Sequence, residues 1–172
     1  SISHNRDLEP DQGRLEAFLS RIQLLEEKAG PLLIQFPPYL TPDSMDKLEN
    51  FLDKLPLVYR YAIEFRHKDW FTSDTYSLLK ENNVALVNVE HPWQMSPLEQ
   101  TADFSYIRLE GDRRKVNGNS GKVELDKTMI NMDWAKRIQE FGSNRDVFCY
   151  VSKHYSGYPP EDIRQLLEQL RL

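Results

Sequence analysis

Residues 84–89 read Val84-Ala85-Leu86-Val87-Asn88-Val89, an aliphatic, largely β-branched run with one polar residue. The run shows little alternation between apolar and polar positions. It therefore predicts a strand buried on both faces, as in a parallel sheet covered by helices. Upstream, Thr72 and Ser73 can cap a helix carrying Tyr76, Leu78 and Leu79, and Tyr61 to Phe65 predicts the strand before it. Thr41-Pro42 starts an earlier helix with Met45, Leu48, Phe51, Leu52 and Leu55 on one face. Leu32 to Phe36 is a strand stopped by Pro37-Pro38, and residues 11–28 place Leu15, Phe18, Leu19, Ile22 and Leu25 at helical spacing. Downstream, Phe104 to Leu109 and Val147 to Val151 predict strands, separated by a helix marked by Trp134, Ile138 and Phe141. Pro159-Pro160 opens a last helix with Ile163, Leu166, Leu167 and Leu170 on its apolar stripe. Residues 91–103 form a proline-punctuated connection, and Gly111 to Val123 reads as a flexible loop.

Strands alternating with helices imply right-handed crossovers and a parallel α/β sheet. An open sheet and part of a (β/α)8 barrel both fit. Five units of roughly 34 residues would extend to about 275 residues for eight, a normal barrel length. The chain is expected to be a single α/β domain over residues 1–172, about three units short of closure.

The 172 residues include 22 Lys+Arg and 27 Asp+Glu, a net charge of −5, with 40% hydrophobic and 28% charged residues. This is the balance of a folded globular chain, and its acidic total disfavours broad nucleic-acid binding. No apolar run approaches the roughly 20 residues of a membrane span. The start, Ser1 to Arg6, lacks the apolar stretch of a signal peptide and has no methionine, which points to a trimmed chain. The lone Cys149 precludes an internal disulfide or a cysteine-based zinc cluster and fits a reducing, cytoplasmic setting.

Parallel α/β proteins bind ligands at the carboxyl ends of their strands. Polar residues gather there: Gln35; Glu64, Arg66 and His67; Asn88, Glu90 and His91; Arg108 and Glu110; Ser152, Lys153 and His154. His4 is placed to end a further strand. A convergent site explains the whole set. Period-two geometry puts Glu64 and Arg66 on one face of their strand, and Tyr106, Arg108 and Glu110 on one face of theirs. A carboxylate beside an arginine stays ionised and can act as base, metal ligand or substrate clamp; the alternative is an internal ion pair closing the mouth.

Glu90, His91, Glu110 and His154 offer donors for a divalent ion, but without tight spacing no metal site is assigned and any cofactor is unknown. The stretch from Gly111 to Gly121, with Arg113, Arg114 and Lys115, could hold a phosphate against Gly157-Tyr158, or it is a solvated surface loop. His67 is a proton-transfer or metal-binding candidate, or else a histidine bonded to loop backbone. Trp70-Phe71 reads as a hydrophobic plug, and Cys149 as core packing. No Walker A, G-x-S-x-G or dinucleotide glycine motif occurs.

Gly30-Pro31-Leu32-Leu33-Ile34-Gln35-Phe36-Pro37-Pro38, Arg60 to His67 followed by Trp70-Phe71, and Thr101-Ala102-Asp103-Phe104 with Tyr106-Ile107-Arg108-Leu109 resemble three segments of the YecE-like family, a domain of unknown function. The resemblance implies a TIM-like (β/α) barrel. Ser3-His4 falls where the family has a Thr-His pair after its third strand, so this chain would supply strands four to eight, the last five βα units, with the first three strands absent. It also implies that Gln35, Glu64, Arg66, His67 and Arg108 belong to a polar mouth. Glu110 departs from a usual histidine, and Ser152-Lys153 from a usual Asn-Asn.

The expected function is an enzyme, a hydrolase or isomerase of TIM-barrel type, acting on a small phosphorylated or sugar-like substrate. Glu64 would be the acid/base, Arg66 and Arg108 anion clamps, His67 and His154 auxiliary groups, and Gln35, Asn88 and Lys153 substrate contacts. The alternative is a non-catalytic binding module for nucleic acid or a protein partner, using the basic loop 112–122. Exposed sheet edges would require further strands elsewhere in the protein or a second copy of the chain.

Overall fold

The structure, a computed structural model, describes residues 12–93 and 95–171. His4 and Ser3 lie outside the described residues. Chain contacts divide the molecule into two compact units, one ending at Leu86 and one starting at Val87.

The first unit runs α1 (Gln12–Gln23), β1 (Leu32–Gln35), α2 (Met45–Leu52), β2 (Tyr61–Glu64), α3 (Ser73–Glu81) and the start of β3 (Ala85–Glu90). β1 and β2 pair in parallel from Leu32↔Tyr61 to Gln35↔Glu64, and β2 meets β3 at Ala62↔Ala85 and Ile63↔Leu86. Thr72 caps α3 as its position implies, its hydroxyl accepting the Thr75 N–H at 3.3 Å. Thr41 does not cap backbone. A 3₁₀ turn, Pro42–Ser44, precedes α2, and the Thr41 hydroxyl donates to Asp43 at 3.2 Å instead.

The core of this unit joins Phe36, Leu48, Phe51, Ile63, Phe65, Trp70 and Leu79. Trp70 is the plug that its sequence suggests: fully buried, stacked on Phe65 with centroids 4.7 Å apart, its indole N–H donating to the Leu40 carbonyl at 2.8 Å. It sits on a 3₁₀ turn, Lys68–Trp70, that hydrophobic periodicity does not reveal.

The second unit contains the rest of β3, then β4 (Phe104–Leu109), α4 (Thr128–Phe141), β5 (Asp146–Val151), α5 (Lys153–Ser156) and α6 (Pro159–Leu170). All its strand pairs are parallel, from Val87↔Tyr106 to Glu90↔Leu109 and from Phe104↔Asp146 to Leu109↔Val151. Strand pairing over both units follows the order β1-β2-β3-β4-β5. Alternation along β4 sends Ile107 and Leu109 into a core with Trp134, Phe141, Tyr155 and Leu166. Tyr106 stacks on Tyr150 at 5.1 Å, on the other set of alternating positions with Arg108.

α6 follows only part of its predicted stripe: Leu166 is 5% exposed and packs in the core, with Leu170 against it. Ile163 and Leu167 are 44% and 42% exposed, whereas Asp162 is only 2% exposed. A hydrogen-bond network explains the rotation: Asp162 accepts from Asn131 Nδ2 at 3.0 Å and from the Ser156 hydroxyl, and Asn131 Oδ1 accepts from the Tyr155 hydroxyl at 3.1 Å. Satisfying that carboxylate sets which face turns inward.

Candidate functional site

A cavity of about 500 Å³ opens in the second unit beside the carboxyl ends of β3 and β4. Glu90 ends β3 and Glu110 follows β4, and the Glu110 N–H donates to the Glu90 carbonyl at 2.8 Å, extending the ladder by one residue. Both side chains line the cavity. Glu90 accepts from the Trp134 indole N–H on α4 and lies 3.7 Å from the Lys127 ammonium. That ammonium stands 4.6 Å from the centre of the Tyr155 ring. Glu110 accepts from the Arg108 guanidinium. Burial, and then the charges of Glu90 and Asp162, push the Tyr155 phenol far above its ordinary range, so it stays neutral.

Trp93 marks the rim, 62% exposed, with Arg114 stacked 4.5 Å from its centre and His91 edge-on at 4.8 Å. Asp112 holds Arg114 through its backbone N–H at 2.9 Å and its side chain at 3.2 Å, and these bonds keep the Asp112 carboxyl below its ordinary value.

The segment after β4 contains no helix or strand before α4, as expected, yet it is tied down rather than loosely solvated. His154 Nδ1 bonds the Val116 carbonyl at 2.8 Å, which requires the proton on Nδ1. The Glu124 and Leu125 N–H groups donate to the Ser156 carbonyl at 2.7 and 2.9 Å. The Glu124 carboxylate accepts from the N–H groups of Asn117 and Gly118 at 2.7 and 3.0 Å and from the Ser120 hydroxyl at 2.9 Å. These bonds hold its carboxyl below the usual range. The loop amides expected to cradle a phosphate therefore already hold an internal carboxylate.

The sequence-derived candidates fall into separate groups. In the first unit Gln35, Glu64 and Arg66 come together: Glu64, 6% exposed, accepts from Gln35 Nε2 at 2.9 Å and from Arg66 Nε at 3.4 Å. His67 Nδ1 accepts the Asp69 N–H at 3.4 Å, bonding loop backbone. In the second unit Arg108 reaches the cavity through Glu110, and Asn88 is buried within β3. Lys153 donates to Asn119 Oδ1 at 3.0 Å, and with His154 it braces the loop.

Among the described residues, no three His, Cys, Asp or Glu side chains are grouped to hold a metal. The weighed set fails because Glu90, Glu110 and His154 are engaged by Trp134 and Lys127, by Arg108, and by Val116 respectively. Cys149 is a core residue whose thiol burial pushes up to about 12. Lys127 and Tyr155 went unnoticed in the sequence. One signal was available: Lys127 is the residue before α4, where a cation opposes the helix dipole.

A family model described as "Protein of unknown function DUF72" matches residues 1–172. The chain belongs to the DUF72 family. Within it, the "UPF0759 protein YecE" of Escherichia coli is 32% identical over 71 residues, which are 41% of this chain and 26% of that protein. The chain thus matches about a quarter of that relative's length. A DUF72 family structure from Thermotoga maritima MSB8 superposes with a TM-score of 0.80 at 21% identity, covering 100% of this chain and 71% of that one. Another, from Enterococcus faecalis V583, gives 0.73 at 20%, covering 94% and 70%. These likenesses establish a DUF72 fold. Among the described residues, no helix of this DUF72 chain is long and apolar enough to cross a membrane.

Proposed function

We propose that this DUF72 chain is part of a cytoplasmic enzyme, a hydrolase or isomerase, that binds a small polar substrate beside the carboxyl ends of its strands. The carrying observation is the cavity of about 500 Å³, where Glu90, Glu110, Lys127 and Tyr155 present charge and hydrogen-bonding groups beside the exposed ring of Trp93. Its size and its few convergent polar groups suit a small molecule. Arg108 is assigned as a clamp acting beside Glu110, and His154, Lys153 and Asn88 as groups supporting that end of the unit. In the first unit Glu64 is the acid/base candidate, with Arg66, His67 and Gln35 as its auxiliaries. This assignment rests on a buried carboxylate flanked by an amide and a guanidinium.

The chain is inferred to be the last five βα units of a TIM-like barrel. Among the described residues β1 pairs only with β2 and β5 only with β4, which supports further strands in a longer protein or a second copy. A monodisperse monomer of the 172-residue chain that unfolds cooperatively would count against this.

The central test is binding and turnover on a panel of sugars and sugar phosphates with Glu110→Gln and Glu64→Gln chains whose melting curves are unchanged. Each unit is judged by itself: loss of binding is expected in the first chain, whose change lies in the second-unit cavity, and loss of any activity of the first-unit cluster in the second chain; wild-type behaviour in both removes the assignment. Exposed Arg113, Lys115 and Lys122 favour one other reading, nucleic-acid binding, which would show itself as affinity falling steeply with salt.

A further inference from the structure

Three carboxylates line the cavity, and each already accepts a hydrogen bond: Glu90 from Trp134, Glu110 from Arg108, Asp112 from Arg114. The lysines differ. The Lys127 side chain is only 13% exposed, and its paired carboxylate, Glu90, stands 3.7 Å away, beyond hydrogen-bond length, while the Asp162 charge acts on it from further off. Among the described residues none of its three N–H donors meets an acceptor. Lys115, also lining the cavity, makes no side-chain hydrogen bond or ion pair among the described residues. Arg108 and Arg114 answer Glu110 and Asp112, and Lys127 stands by Glu90, which leaves Lys115 as the cavity cation with no ion pair of its own among the described residues. A half-buried lysine whose ammonium meets no hydrogen-bond acceptor favours a ligand that brings oxyanion acceptors.

Resting on the reading of this cavity as a substrate site, we propose that it takes a phosphate monoester, whose phosphoryl oxygens are bound by Lys127 from within and by Lys115 from the rim. The loop amides play no part, because Glu124 occupies them. Neutral sugars would leave both ammonium groups without acceptors, so the phosphoryl group rather than the sugar supplies recognition.

The test uses the 172-residue chain with glucose 6-phosphate, inorganic phosphate and glucose, followed by tryptophan fluorescence. The expected result is that both phosphates bind and glucose does not. Lys115→Ala should weaken phosphate binding about tenfold, the scale of one charge-assisted hydrogen bond. Lys127→Met should abolish binding, Lys127→Arg should retain it, and the surface control Lys136→Ala should change nothing. Should Lys127→Met unfold the chain, Lys115→Ala and Lys127→Arg still decide. Phosphate binding unchanged in Lys115→Ala and Lys127→Met overturns the proposal. Binding of glucose without phosphate overturns it while leaving the substrate site standing, and binding of none of the three removes both.

Discussion

A Cβ added to Gly111 would lie 1.7 Å from the carbonyl oxygen of His154. No side chain can rotate out of that overlap, because both partners are backbone. The chain after β4 lies so close to the segment after β5 that only hydrogen fits between them.

Gly111→Ala should therefore force the two segments apart and lower the melting temperature by many degrees, since backbone displacement spoils the bonds on either side. Gly30→Ala is the control. Nothing lies within 4 Å of its added Cβ, and its effect should fall within about 0.5 kcal/mol or be slightly stabilising. Equal melting curves for the two variants would refute the close approach.

Trp70 should dominate the stability of the first unit. Trp70→Ala removes a fully buried ring and is expected to cost about 3–5 kcal/mol in urea unfolding. Trp70→Phe keeps much of the packing but leaves the Leu40 carbonyl without its donor, for about 1–3 kcal/mol. A Phe variant as unstable as the Ala variant would refute packing of the buried ring as the main contribution.

Glu124 predicts an acid-sensitive loop. Its carboxyl is held below the ordinary 4.5, first by the Asn117 N–H and then by Ser120, so the ionised form is the one the fold favours. The stabilisation is present above about pH 4.5 and fades as pH falls through the lowered value. Amide exchange at Asn117 and Gly118 should accelerate in that range, and Glu124→Gln should accelerate it at neutral pH. Slow exchange throughout would show that the carboxylate does not hold the loop.

Asp162 should behave with the opposite sign. Burial raises its carboxyl above 3.8, so the folded state prefers the protonated acid, and stability declines as pH rises through the raised value. Asp162→Asn removes that decline while keeping an acceptor for Asn131 Nδ2. Asp162→Leu leaves the Ser156 hydroxyl without its acceptor and Asn131 Nδ2 with Gln165 alone, and should cost about 1–3 kcal/mol. A pH profile of unfolding identical in wild type and Asp162→Asn would exclude the carboxylate as its source.

Strand positions were legible because Val84 to Val89 and Phe104 to Leu109 carry side chains that only a covered sheet buries well. The Glu64–Arg66 pairing was legible too, from period-two spacing. The α6 stripe was legible at Leu166 and Leu170 but not at Ile163 and Leu167, because apolar periodicity assumes that apolar residues win the inner face, whereas Asp162 turned inward to meet Asn131 and Ser156. The cavity was half-read. Glu90 and Glu110 were found from strand ends, but Lys127 and Tyr155 lie beyond loops whose path depends on contacts remote in sequence, such as Gly111 on His154. A loop rich in glycine and basic residues looked mobile because nothing local announces that Glu124, several residues on, will fill it.

That internal carboxylate bears on the timing of recognition. A phosphate loop left open would have to be ordered by its ligand, making association slow and gated by closure. Here the rim beside Lys115 is already set by Glu124, so capture should proceed at an encounter-limited rate, with little ordering entropy lost on binding.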